Sequence, residues 1–229
     1  MRSCQGGCHQ QNGDLTLLQR CVFRSKVNFN YAVEVFPGAN AILEMTKHNG
    51  NTALLQPEGI PSPWICHYAK LIRSGGQVLD LACGSGRNAR WLAANNWRVN
   101  AVDRDATALS GLQQLSNVST KIADLENDIW PYADHRFDGI VVSRYLYRPL
   151  LPRLIESLNV GGVLIYETFM EGNERFGRPK NPNFLLRSNE LLEVFSPHLT
   201  VIAYQQGEFQ EPGHTVMQRI CAVSERRNN

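Results

Sequence analysis

An α/β fold with a doubly wound, mostly parallel seven-stranded sheet and an antiparallel C-terminal hairpin is predicted by three features of the sequence. Strand-like and helical stretches alternate from Gln77 to Thr168, the order that builds a parallel sheet covered on both faces. Within that stretch, a short apolar strand at Gln77 to Leu81 turns through Gly84 and Gly86, opens a helix, and is followed by a second strand ending at Asp103. Two later strand-like runs, near 199–205 and 215–223, flank a Gly/Pro loop that suits a hairpin.

Each element has a local signal. Ser62-Pro63 opens a helix whose one face carries Trp64, Ile65, Tyr68, Leu71 and Ile72, and Ser74-Gly75-Gly76 ends it. Strands fall at about 77–82, 98–102, 118–122, 137–142 and 162–168, with helices after the first, second and fourth, the first spanning Asn88 to Asn95. Ser188 caps a further helix that runs through Phe195.

Residues 1–56 read differently, as an irregular N-terminal extension that mixes isolated apolar runs such as Tyr31 to Phe36 with Gly, Asn and Gln. They are expected to be a flexible extension or the product of a false upstream start, with Met45 as the alternative initiator. Residues 57–229 form the single large α/β domain that a chain of 229 residues allows.

Composition limits the partners. A formal net charge of +2 demands neither nucleic acid nor a membrane surface. No run approaches the ~20 apolar residues of a spanning helix, and the start MRSCQGGCHQQNG lacks the apolar centre of a signal peptide, so a cytoplasmic protein is expected. In that compartment Cys4, Cys8, Cys21, Cys66, Cys83 and Cys221 are reduced thiols. The set Cys4, Cys8, His9 and Cys21 matches no usual zinc spacing, so no metal site is expected, and the sequence sets no oligomeric state.

The turn after the first strand carries the chemistry. Gly84 and Gly86 let the backbone approach a ligand, and the first amides of the following helix are unpaired donors. From Gly84 the pattern is G-x-G-x-x-A, and Asp103 follows at the spacing where an acid meets ribose hydroxyls. That much fits NAD as well as other adenosine cofactors. Asp80 separates them: a carboxylate beside the turn opposes a pyrophosphate but complements the ammonium and sulfonium of S-adenosyl-L-methionine. Cys83, inside the turn, reads as a small packing residue, since methyl transfer requires no enzyme thiol.

On these residues the chain resembles the class I S-adenosylmethionine-dependent methyltransferases, whose fold is Rossmann-like. Val78 to Gly86 is similar to their first motif, Val99 to Asp103 to the second, Ala123-Asp124-Leu125 to the adenine-side loop, Phe137 to Ser143 to the fourth strand and Gly161 to Thr168 to the fifth. The resemblance covers about residues 60–223 and implies S-adenosyl-L-methionine as cofactor. It places cofactor contacts at Asp80, Leu81, Ala82, Cys83, Gly84, Ser85, Gly86, Asn88, Asp103, Arg104, Asp124, Leu125 and Ser143. Ala82 departs from the pattern, standing where many relatives carry glycine; an added methyl leaves the cofactor assignment in place.

The acceptor is expected beyond strands four and five, where SRYLYRP and the long loop ETFMEGNERFGRPKNPNF follow the sheet. Tyr145, Tyr147 and Phe176 are candidate walls, and Arg148, Arg175 and Arg178 candidate anion ligands. ETF, GNERFG and NPNFLL are similar to small stand-alone bacterial methyltransferases of the tellurite-resistance, TehB-like type. This implies a methyltransferase acting by in-line displacement on a small-molecule acceptor. Tyr145, Glu167 and Arg175 are the candidate catalytic residues, with Glu167 or a tyrosine hydroxyl accepting a proton where the acceptor carries one. Ser143 to Arg148 lacks the Asn/Asp-Pro-Pro-aromatic element of amino-group enzymes and the Pro-Cys pair of cytosine-C5 enzymes, so nucleic acid is not favoured. An RNA or protein methyltransferase, an NAD-dependent oxidoreductase and a non-catalytic cofactor-binding module are the competing readings.

Overall fold

The computed structural model of the chain describes residues 59–127, 129–210 and 213–225. The expectations for residues 1–56, Met45 and the Cys4, Cys8, His9, Cys21 set lie outside the described residues. Seven strands form one sheet in the order β3-β2-β1-β4-β5-β7-β6. They are β1 Gln77–Leu81, β2 Arg98–Asp103, β3 Val118–Ile122, β4 Phe137–Ser143, β5 Leu158–Phe169, β6 Thr200–Phe209 and β7 Thr215–Val223. The pairs joining β3, β2, β1, β4 and β5 are parallel, while β7 runs antiparallel to both β5 and β6. The doubly wound architecture with its antiparallel C-terminal hairpin is therefore as predicted.

Alternation along each strand divides the core into two layers. Leu79, Ile140, Val142, Leu164 and Tyr166 pack on one face with Leu151, Leu154, Leu191 and Phe195. Val78, Val141, Val163 and Ile165 pack on the other with Trp64, Ile65, Ala89 and Leu92. Neighbouring residues of one strand thus enter opposite layers, as the two-residue period requires. The helices are short: α1 Pro63–Tyr68, α2 Arg87–Ala94, α3 Ala106–Ser110, α4 Leu151–Glu156 and α5 Glu190–Phe195.

Local signals account for most of these ends. The Ser62 hydroxyl accepts the Ile65 N–H at 3.2 Å and Pro63 begins α1. Asp105 caps α3 by accepting from Thr107 and Ala108. Two expectations are corrected. The first helix stops at Tyr68 and tightens into a 3₁₀ turn over Ala69–Leu71, which leaves Leu71 43% exposed rather than on the buried face. The last helix takes no cap from Ser188: it starts after Asn189, which sits at φ 63° and gives no side-chain bond. The Leu191 N–H is instead met at 3.0 Å by Oε1 of Gln218, a buried residue of β7 whose amide also donates to the Arg187 carbonyl. A partner 27 residues away does the work of a local cap.

Arg148 holds the same region. Its guanidinium donates to both oxygens of the buried Glu190, at 2.6 and 3.0 Å, and to the carbonyls of Asn183 and Leu185. Burial would push the Glu190 carboxyl up, but the bonds from the Arg148 side chain and the Arg187 backbone outweigh it and hold it below the ordinary carboxylate value. A carboxyl depressed on folding contributes stability above its unfolded pKa, and that contribution is lost as pH falls through the folded value. Glu190→Gln is expected to lower unfolding free energy by about 1.5–3 kcal/mol at neutral pH and to cost less in acid, where the native carboxyl is protonated. Urea titrations at neutral and acidic pH check this; an equal loss at both would count against the charged pair.

Candidate functional site

The site forms where the strand order reverses. The chain steps outward from β1 to β2 and β3, then returns to place β4 on the other side of β1, so loops at the C-terminal ends of β1 and β4 leave in opposite directions. A cavity of about 350 Å³ lies at these ends. One end is lined by Ala82, Asp103, Arg104, Ala123, Asp124, Leu125 and Glu126, the other by Arg144, Tyr145, Leu146, Thr168, Phe169, Pro179 and Phe184.

The glycine turn is shaped by its backbone. Gly84 lies at φ 55° and Gly86 at φ 77°, with Ala82 also left-handed at φ 50°. The Gly84 N–H donates to Asp103 Oδ2 at 2.8 Å, while the Asp105 N–H donates to Oδ1 at 3.0 Å. Asp103 is thereby fixed beside the cavity, and a carboxylate retains acceptor capacity beyond these two bonds. A side chain at Gly84 would meet open space, whereas one at Gly86 would overlap Leu112, whose Cγ would lie 2.9 Å from the new Cβ.

Asp80 is buried beneath this turn, 1% exposed. It accepts the Ala89 backbone N–H, but its Oδ2 has no hydrogen-bond partner. Burial, with Asp103 adding a smaller push, raises its carboxyl to about 7 against the opposing effects of the Ala89 bond and Arg87. A buried carboxylate oxygen left unpaired is costly unless a cation or donor completes it. The unpaired Asp80 oxygen suits a cationic amine beside the turn and suits a pyrophosphate poorly.

The other predicted cofactor residues fall into three groups. Arg104, Asp124 and Leu125 line the cavity, and Asp124 Oδ1 also accepts the Glu126 N–H at 3.0 Å. Ser85 is exposed on the turn, and the Cys83 thiol is pushed up by burial, then by Asp80 and Asp103, which keeps it neutral as a packing group. Leu81 and Asn88 serve the fold instead: Leu81 is core, and Asn88, 4% exposed, accepts the Ser62 N–H at 2.9 Å and so joins α2 to the start of α1.

Ser143 and Glu167 belong to a buried polar network. Arg87 donates to the Ser143 hydroxyl at 2.6 Å, which donates to Glu167 Oε1 at 2.9 Å. Arg219 lies 3.4 Å from the other oxygen of Glu167, and Arg87 3.9 Å from the first. Glu167 is thus an engaged counter-ion, not the free base that the sequence suggested. Tyr145 does reach the cavity; burial, then Glu126 and Asp124, pushes its phenol up, and its hydroxyl has no hydrogen-bond partner. The Tyr166 hydroxyl donates to the Tyr145 carbonyl at 2.8 Å and holds that segment.

The predicted arginine cluster does not assemble. Arg175 lies apart from the cavity lining, paired at 2.9 Å with Glu208 and stacked on Phe176, while Arg148 is the staple described above. Arg178 and Phe176 are also absent from the lining, Phe176 packing edge-on against His214, and Tyr147 bonds the Glu126 carbonyl. Missed instead were Arg87, Arg144 and Arg219. Two of them left signals: Arg87 is a cation at a helix start, where the dipole disfavours it, and Arg219 is the one charged residue of β7.

In fold and in the layout of the site, the chain is similar to class I S-adenosylmethionine-dependent methyltransferases. Residues 78–160 match the methyltransferase domain family. The chain is 29% identical over 139 residues to the methyltransferase TehB of Haemophilus influenzae, a match covering 56% of this chain and 47% of TehB, so it spans about half the length of that relative. The crystal structure of that TehB superposes with a TM-score of 0.59 at 23% identity, covering 70% of this chain and 61% of TehB. A TehB-like methyltransferase from Corynebacterium glutamicum gives 0.54 at 17% identity, covering 82% and 97%. Coclaurine N-methyltransferase, bound to N-methylheliamine and S-adenosylhomocysteine, gives 0.55 at 14%, covering 70% and 71%. Among the described residues no helix is long and apolar enough to cross a membrane.

The two glycines make separable predictions. Gly84→Ala forces only a left-handed alanine and is expected to cost about 1–2 kcal/mol. Gly86→Ala adds the overlap with Leu112, and overpacking raises the total by about 1–3 kcal/mol more. Urea denaturation of the two variants checks the order; equal costs would show that the Leu112 contact imposes no constraint.

Proposed function

We propose that this chain transfers a methyl group from S-adenosyl-L-methionine to a small-molecule acceptor. The observation that carries the reading is the buried, incompletely paired Asp80 under the glycine turn, with Asp103 fixed beside the same turn at the cavity. Asp80 would offer counter-charge to the cofactor's ammonium, Asp103 would accept from its ribose hydroxyls, and Asp124 with Leu125 would flank its adenine. When bound, that cofactor supplies an electrophilic methyl on a sulfonium.

What the chain itself contributes is alignment. Tyr145, Leu146, Phe169 and Phe184 supply apolar contacts at the acceptor end, beside Arg144 and Thr168, and would help to align an acceptor against the methyl. The unpartnered Tyr145 hydroxyl, protonated at neutral pH as any phenol is, can orient an acceptor atom by a hydrogen bond. A small acceptor is supported by coclaurine N-methyltransferase, which is similar in fold and binds the small molecule N-methylheliamine. Incubation with methyl-labelled cofactor and separated metabolite, RNA and protein fractions tests the acceptor class. Label in the metabolite fraction supports the reading, and label confined to RNA or protein refutes it.

Asp80 makes a pH-dependent prediction. Its carboxyl is raised above the unfolded value, so in the free chain this group favours folding in its protonated form and loses that contribution as pH rises through about 7. Binding of a cationic amine runs the other way, and affinity for S-adenosyl-L-methionine is expected to rise across the same interval as the carboxylate forms. Asp80→Asn is expected to weaken binding by about 1–3 kcal/mol at alkaline pH and to flatten the dependence. Calorimetric titrations from pH 6 to 8.5 decide it, and an unchanged profile in the variant would refute the contact.

A further inference from the structure

We propose that Arg87 is a positioning residue that makes the glycine turn, the acceptor end of the cavity and the chain entering α1 one mechanical unit, so that a cofactor seated at the turn steadies the other two; the cofactor part rests on the methyltransferase reading. Arg87 is the first residue of α2, directly after Gly86 of the turn. One terminal nitrogen donates to the Ile60 carbonyl at 2.8 Å and the other to the Ser143 hydroxyl at 2.6 Å, partners 27 and 56 residues away. No local reason accounts for this placement. A cation at a helix start opposes the dipole, and a side chain only 15% exposed has given up much of its hydration. What the position gains is the planar fork of the guanidinium, which reaches both partners at once; a lysine ammonium is a single point and has no such fork.

Each tie leads to a different part of the molecule. Ser143 passes the first to Glu167 at 2.9 Å, and the Arg144 N–H donates to the Glu167 carbonyl at 2.9 Å, so the ends of β4 and β5 are held together. The residues that follow, Arg144 to Leu146 and Thr168 with Phe169, line the acceptor end of the cavity. On the other side, Asn88, the next residue of α2, accepts the Ser62 N–H at 2.9 Å, and Ser62 caps α1. Ile60 and Ser62 lie outside the cavity lining, so a ligand's influence reaches them through α2. Helix ends open locally in a free chain, and a ligand that binds only the closed form suppresses the opening. Segments tied to α2 share that suppression. A cofactor at the turn therefore sets the acceptor wall before an acceptor arrives.

Amide hydrogen exchange on the whole chain, free and saturated with S-adenosylhomocysteine, tests the tie. The ligand is expected to slow exchange at least about threefold at residues 60–68 as well as at 82–86 and 144–147. Arg87→Gln and Arg87→Lys should cut the slowing at 60–68 to under about 1.5-fold while leaving that at 82–86 in place. A merely structural Arg87 would make 60–68 exchange faster with and without ligand and leave the ligand's effect unchanged. That result, or no slowing at 60–68 in the unmodified chain with ligand bound, would overturn the proposal. Ser143→Ala, which removes one hydroxyl, keeps the test decisive if the Arg87 variants fail to fold or to bind: slowing should be lost at 144–147 and kept at 60–68, and slowing kept at both would overturn it. Failure of the unmodified chain to bind S-adenosylhomocysteine would refute the cofactor reading alone. The tie is then read in the free chain, where Arg87→Gln should speed exchange at 60–68 and 144–147 but not at 190–195, and no acceleration would overturn it.

Discussion

Reversal of strand order between β1 and β4 is the constraint on which the rest of the site depends. Parallel strands all end at one edge of the sheet, and their terminal residues must leave the apolar layers there and find partners. Asp80 and Asp103 from β1 and β2, Ser143 from β4 and Glu167 from β5 meet that requirement at the same edge, where Arg219, midway along the antiparallel β7, pairs across from Glu167. Because loops diverge at the reversal, the edge opens into a cavity rather than closing over.

Polar groups buried at that edge are satisfied to different degrees, and the difference separates scaffold from site. Glu190 is fully engaged by Arg148 and Arg187, and Gln218 by Leu191 and Arg187, so these groups fix the last helix and the long loop. Asp80 Oδ2, the Tyr145 hydroxyl, Arg219 Nε and, at the start of β7, Thr215 Oγ1 remain without hydrogen-bond partners among the described residues. Fully paired buried groups specify the fold, whereas incompletely paired ones mark where a ligand would complete the network.

The parts legible in the sequence were those whose cause is local. Strand, glycine turn and helix from Val78 to Ala94 are set by neighbours in the chain, and so is the cap at Ser62. What escaped was set by distant partners. Arg148 and Arg175 looked like anion ligands, but carboxylates 42 and 33 residues away neutralise them. Glu167 looked like a free base until Ser143, Arg87 and Arg219 closed on it from three other elements. Ser188 has the chemistry of a helix cap, yet Gln218 from β7 supplies the bond. Arg87 and Arg219 could be noticed as misplaced charges, but not joined to each other without the sheet order.

The central claim is that this edge of the sheet binds a sulfonium nucleoside and not a dinucleotide. Calorimetric titration of the unmodified chain with S-adenosylhomocysteine, S-adenosyl-L-methionine and NAD tests it most directly. Saturable binding of both sulfur ligands with a stoichiometry of about one, and none by NAD, is the predicted result. Binding of NAD in the absence of either sulfur ligand would contradict the account at its root.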